Sequence, residues 1–198
     1  MPHHDEKPDS DLTRRDALKL AAGLGVATLM PIVPAEAAQA ARKAVAARTA
    51  GAPLKFFTPA QHHTVDVLTE LIIPADDRSP GAKAAKVADY IDFALSESPD
   101  EAKKAWTDGI AALDAASTAQ FGKPFAQATP EQQTALLTEA AKNEFAPTTP
   151  LEKFFTGAKG RTIFGYYTTD IGIHQELKYK GNQFLQEFVG CDHPEHQG

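Results

Sequence analysis

The chain has 198 residues, with 20 basic and 26 acidic side chains and a net charge of −6. A mildly acidic protein with no basic stripe is a poor nucleic-acid binder. The single cysteine, Cys191, can close no internal disulfide and cannot hold an iron–sulfur cluster; it reads as a half-buried thiol or as a link to a second chain.

The first predicted element is a targeting segment. Arg14, Arg15 and Lys19 supply positive charge, Leu20 to Val33 an apolar run, and Ala35 to Ala37 the small residues of a cleavage site. The run is too short and too rich in Gly and Ala to span a bilayer, which takes about 20 apolar residues. The order Thr-Arg-Arg-Asp-Ala-Leu-Lys resembles the twin-arginine export signal; the competing reading is an amphipathic helix with a chance arginine pair. That export route carries proteins already folded. It is needed when a cofactor is inserted before export, or when a partner without a signal is carried along. The sequence therefore divides into a signal at 1–37, a flexible leader at 38–54 and a helical domain at 55–198. Cleavage after Ala37 leaves 161 residues of net charge −4, enough for one domain with a proper core. The expected location is the periplasm.

Within the domain one device recurs. "TPAQ" from Thr58, "SPDE" from Ser98, "TPEQ" from Thr129 and "TPLE" from Thr149 each place a hydroxyl, a proline and then an acid or amide. The hydroxyl caps free N–H groups, proline fits the first helical position, and the third residue on reaches back to the cap. Four helix starts are predicted. Apolar stripes agree with them: Val65, Leu68, Leu71 and Ile72; Val87, Ile91, Ala94 and Leu95; Trp106, Ile110 and Leu113; Leu136, Leu137, Ala140 and Ala141; Leu151, Phe154, Phe155 and Ala158, continuing through Phe164 and Tyr167. No segment alternates with period two. The fold class is therefore mostly α, a single bundle of five or six helices with short connections. "PADDRSPGAK" after Ile73 reads as a loop, with Asp76 and Asp77 a solvated carboxylate pair.

The tail differs. Glycines at 165, 172, 181 and 190 predict turns among short helices. Tyr166, Tyr167, Tyr179, Phe184, Phe188 and Cys191 make a candidate contact surface for another protein, or close the bundle.

Sites for chemistry are scarce. Gly23 and Gly25 lie inside the signal and lack a third glycine; "GAKGRT" at 157–162 lacks the Gly-Lys-Ser/Thr order of a phosphate loop and interrupts a helix. There is no Cys-x-x-Cys-His and no Gly-x-Ser-x-Gly. His62 and His63 are adjacent, point about 100° apart on a helix and belong on a solvated face. Cys191, His193, Glu195 and His196 have zinc-ligand chemistry but sit at the chain end, where order is poor. No catalytic, cofactor-binding or metal residue is assigned.

The stretches "FFTPAQHHTVDVLTELIIPADDRSPGAKAAKVADYID" and "GYYTTDIGIHQELKYKGN" with "FVGC" resemble the gluconate 2-dehydrogenase subunit 3 family, the small or gamma subunit of bacterial flavin-dependent sugar dehydrogenases. The resemblance runs from Phe56 to Cys191 and its motifs are structural rather than catalytic. It implies a large partner of the glucose–methanol–choline type that holds FAD and oxidises a sugar hydroxyl, with a cytochrome or other carrier taking the electrons. It implies that the small subunit carries the signal to the twin-arginine translocase for both chains and helps the large one mature. Two other readings stay open: a stand-alone metal-dependent enzyme using the terminal Cys/His cluster, and a periplasmic module binding a small molecule in a cleft between helices.

Overall fold

The computed structural model describes residues 53–181. The export signal with Arg14 and Arg15, the leader up to residue 52, and Phe184, Phe188, Cys191, His193, Glu195 and His196 lie outside the described residues. Five α-helices follow in order: α1 (Pro59–Ile72), α2 (Val87–Ser96), α3 (Asp100–Phe121), α4 (Pro130–Ala141) and α5 (Pro150–Tyr167). A 3-10 turn (Phe125–Gln127) joins α3 to α4, and a π-helical segment (Ile171–Glu176) follows α5. No strand occurs among the described residues, so the mostly α fold class holds.

Three of the four predicted caps form as full reciprocal boxes: Thr58 with Gln61, Thr129 with Gln132, and Thr149 with Glu152. At the last, the backbone N–H groups of Thr149 and Thr148 both donate to the Glu152 carboxylate and draw its pKa down to about 2. The fourth box does not form. Helix α3 begins at Asp100 with Pro99 as its cap residue, and the Ser98 hydroxyl instead donates to Ala94 O at 2.7 Å. Ser98 stands only two residues beyond α2, so an open carbonyl of that helix claims its hydroxyl first.

Helix α5 is the centre of the bundle, touching α1, α2, α3, α4 and the π segment. Small residues let its neighbours come close. A Cβ on Gly109 of α3 would stand 2.1 Å from the Phe154 ring, and one on Gly165 would stand 3.0 Å from Val87. Phe154 packs edge-on against Trp106 at 5.5 Å between centroids, and Trp106 in turn meets Phe57. Around this line gather Val65, Leu68, Ile91, Leu95, Ile110, Leu113, Phe125, Leu136 and Leu137, all buried. The predicted stripes supply most of this core. The fifth is shifted at its far end: Phe164 is exposed, and the buried positions there are Arg161, Thr162, Gly165 and Tyr166. Nor does "GAKGRT" interrupt anything, because α5 runs straight through Gly157 and Gly160 to Tyr167. Packing on several sides outweighs the roughly 1 kcal/mol helix penalty of each glycine.

His62 also departs from expectation. It is half-buried, and its Nε2 lies 3.4 Å from Asp89 Oδ1 of α2. The Asp89 carboxylate beside it raises its pKa, opposed by burial and helped by the charges of Asp66 and Asp92. A raised folded-state pKa means that the stabilisation is fully present below the unfolded value of about 6.5 and is lost as pH rises through the folded one. Thermal melts at pH 6, 7 and 8 should therefore show a decline in stability with pH that His62→Gln flattens. An unchanged slope in that variant would remove the pair from this role.

Candidate functional site

The loop between α1 and α2, residues 73–86, is closed by its own backbone: Asp76 N donates to Ser79 O at 3.1 Å and Ala82 N donates to Ile73 O at 2.9 Å. Glu70 staples both ends, accepting from Ala75 N at 3.2 Å and from Lys83 N at 2.7 Å. Asp76 is exposed, as expected, but its carboxylate is also bonded to the loop backbone. Its Oδ1 accepts from Ser79 N and Arg78 N, both at 2.9 Å, which lowers its pKa; Asp77 is exposed as well.

This loop is clamped to the far end of the chain. The Ser79 hydroxyl donates to Glu176 Oε2 at 2.7 Å and meets the Tyr166 hydroxyl at 2.9 Å. Tyr166 donates to Pro80 O at 2.6 Å, and Arg78 Nη2 donates to Glu176 Oε1 at 3.3 Å. With the Ser79 proton on a carboxylate, the Tyr166 proton serves both Ser79 Oγ and Pro80 O. The π segment sets this geometry. Gly172 is buried against α5, and a Cβ there would stand 2.3 Å from Tyr166 O, so the extra-wide turn that carries Glu176 back to Ser79 needs glycine.

Tyr166 is fully buried, so it leaves the candidate contact surface and becomes the core end of the clamp. Tyr167 is half-buried and stands edge-on to Tyr166 at 5.2 Å. Tyr179 is 50% exposed, and Leu177, Phe164 and Ile163 are exposed with it. The clamp thus holds one end of α5 and the π segment in place, and apolar side chains stand on the outside of that end. Ser79, Arg78 and Glu176 had no assigned role in the sequence reading. Each is unremarkable alone, and Ser79 and Glu176 stand 97 positions apart.

The cluster has limited chemistry. A serine bonded to a carboxylate lacks the imidazole that would take its proton. His174 pairs with Asp170 at 3.6 Å on the exposed side. Among the described residues no three His, Cys, Asp or Glu side chains gather as metal ligands, and no helix is long and apolar enough to cross a membrane. Two open grooves hold about 240 and 260 Å³, one lined by Leu71, Leu137 and Phe155 and the other by Ala105, Gly109 and Phe154. Both fall below the ~300–1,000 Å³ common for small-molecule sites.

The family model described as gluconate 2-dehydrogenase subunit 3 matches residues 59–184, which takes in both halves of the clamp. No curated protein and no solved structure matches the chain. The match spans well over half of the sequence, and the chain belongs to the gluconate 2-dehydrogenase subunit 3 family.

Proposed function

We propose that the chain is the non-catalytic small subunit of a periplasmic dehydrogenase complex whose large subunit, of the glucose–methanol–choline type, holds FAD and oxidises a hydroxyl of a sugar, glucoside or gluconate. Its work is to carry the large subunit through the twin-arginine translocase already folded and to support its maturation and stability. Electrons pass onward to a cytochrome c subunit or another acceptor. The observation that carries this reading is membership in a subunit family, which places the chain in a multi-subunit dehydrogenase. The sequence from Thr13 to Leu20 supports the export role. Exposed Phe164, Leu177 and Tyr179 beside half-buried Tyr167 support a docking surface, because aromatic side chains at a half-wet boundary are enriched in protein interfaces.

The test is the paired substitution Arg14→Lys with Arg15→Lys, followed by fractionation of both subunits. Both proteins are expected in the cytoplasm, with periplasmic dehydrogenase activity down by roughly tenfold or more. A large subunit that reaches the periplasm normally in this strain would end the carrier role.

A further inference from the structure

The groove between α1, α4 and α5 is too small for a typical ligand and large enough for a side chain. It holds about 240 Å³ and is lined by Leu71 and Ile72 of α1, Leu137 and Thr138 of α4, and Phe155 and Lys159 of α5. Leu137 and Phe155 belong to the core, and Leu71 and Ile72 pack against it. The ammonium of Lys159 is already paired with Glu144 at 2.6 Å, so the rim has its charge satisfied. An apolar hollow of this size with no charge to neutralise calls for a large apolar side chain.

The chain carries such side chains just past the last described residue. Phe184 with Phe188, and Leu185 with Val189, are pairs four residues apart, the spacing of one apolar helical face. On the other side of the bundle's sequence, residues 38–52 hold no apolar side chain larger than Val45 and cannot fill an aromatic-sized hollow. The point of departure is also suitable. Ile72 ends α1, and the loop that starts at residue 73 carries Ser79, which holds Glu176. Tyr166, bonded to the same Ser79, stands one helical stretch beyond Lys159, roughly 10 Å along α5. Groove and departing chain therefore share one end of the bundle. Gly181, at φ 91°, turns the chain there with a backbone angle that glycine adopts without strain. From that turn the extended chain brings Phe188 within a radius of roughly 25 Å, ample for the groove.

We infer that the groove of α1, α4 and α5 is the seat of this chain's own C-terminal segment, with the Phe184 and Phe188 face laid against Leu71, Leu137 and Phe155. The segment closes the bundle on that side. This inference does not depend on the small-subunit reading above.

Cys191 is the single cysteine of the chain and stands three residues after Phe188, so its thiol reports where the segment lies. The test places a second thiol on the exposed rim of the groove by Thr138→Cys in the full chain and adds a short bismaleimide, which joins two thiols without an oxidant. Thr107→Cys is the control, an exposed position on α3, which does not line the groove. The intramolecular cross-link is expected in at least about fivefold higher yield from position 138 than from 107, because a seated segment holds its thiol at high effective concentration. Adding Phe184→Ser with Phe188→Ser should bring the yield at 138 down to that at 107. Both of these substitutions lie outside the described bundle, so its folding is not at stake. Equal yields at 138 and 107 overturn the inference, and so does an undiminished yield at 138 in the serine variant. A cross-link formed solely between two chains gives the groove to a second copy and overturns it. A thiol at position 138 that reacts freely until the large subunit is added gives the groove to that partner and overturns it too.

Discussion

Asp92→Ala should lower the stability of the domain by about 4 kcal/mol, the largest effect expected of any single substitution in the bundle. The Asp92 side chain is fully buried in α2. Its Oδ2 accepts from Lys55 N at 2.8 Å, and its Oδ1 accepts from Phe56 N at 2.9 Å and Phe57 N at 2.8 Å. Three consecutive backbone donors converge on one carboxylate, and each such charge-assisted bond contributes roughly 1.5–3 kcal/mol. The sum is not additive, because water can reach Lys55 once the segment loosens. Phe57 cannot loosen cheaply: it is buried, with its ring 6.1 Å from Trp106. Urea denaturation should show the loss as a lower midpoint, and thermal melting as a drop of roughly 12 °C. Asp92→Asn, which keeps the shape and one acceptor, should fall between the two. A loss below about 1 kcal/mol in the alanine variant would mean that the three N–H groups find other partners.

Gly172→Ala should detach the π segment at a cost of about 2–3 kcal/mol, with consequences confined to one end of the molecule. The new methyl would stand 2.3 Å from Tyr166 O and 2.8 Å from Tyr167 Cα, which are backbone atoms that cannot swing aside. The segment must therefore move, and Glu176 moves with it, away from Ser79 and Arg78. The clearest readout is amide exchange. Leu177 N donates to Gly172 O and Tyr179 N to Ile173 O, both at 3.0 Å, and these two amides should exchange at least about tenfold faster while α3 is unaffected. Because Leu177 and Tyr179 belong to the proposed docking surface, binding to the large subunit should weaken in parallel. Equal exchange at Leu177 and Tyr179 in both proteins would show that the turn tolerates a side chain at this position.

Local features were legible from the sequence because their partners are near in the chain. A hydroxyl, a proline and an acid within four residues carry a whole helix start, and three of the four boxes closed as expected. Stripes such as Val65 and Leu68, or Leu136 and Leu137, repeat at three or four residues because a helix repeats so, and they are the buried faces. Residues 59–184 likewise carry their family in the order of their side chains. The fourth box failed where two helices lie so close that one hydroxyl had two possible uses, and no local rule ranks them.

Tertiary structure decided the rest, because it decides which distant groups meet. Nothing near Tyr166 in the chain says that its hydroxyl will be buried against Ser79 and Pro80, more than 80 residues earlier, so only the fold decides that this aromatic closes the bundle rather than facing a partner. His62 gained a carboxylate from another helix in the same way. Arg161 had no assigned place in the sequence reading, and only the packing of α5 among four other helices takes it out of water. Helix type, helix ends and the apolar faces follow from interactions a few residues long, so the sequence alone determined them. Burial of a polar group depends on what arrives from elsewhere in the chain, and only the assembled fold determines that.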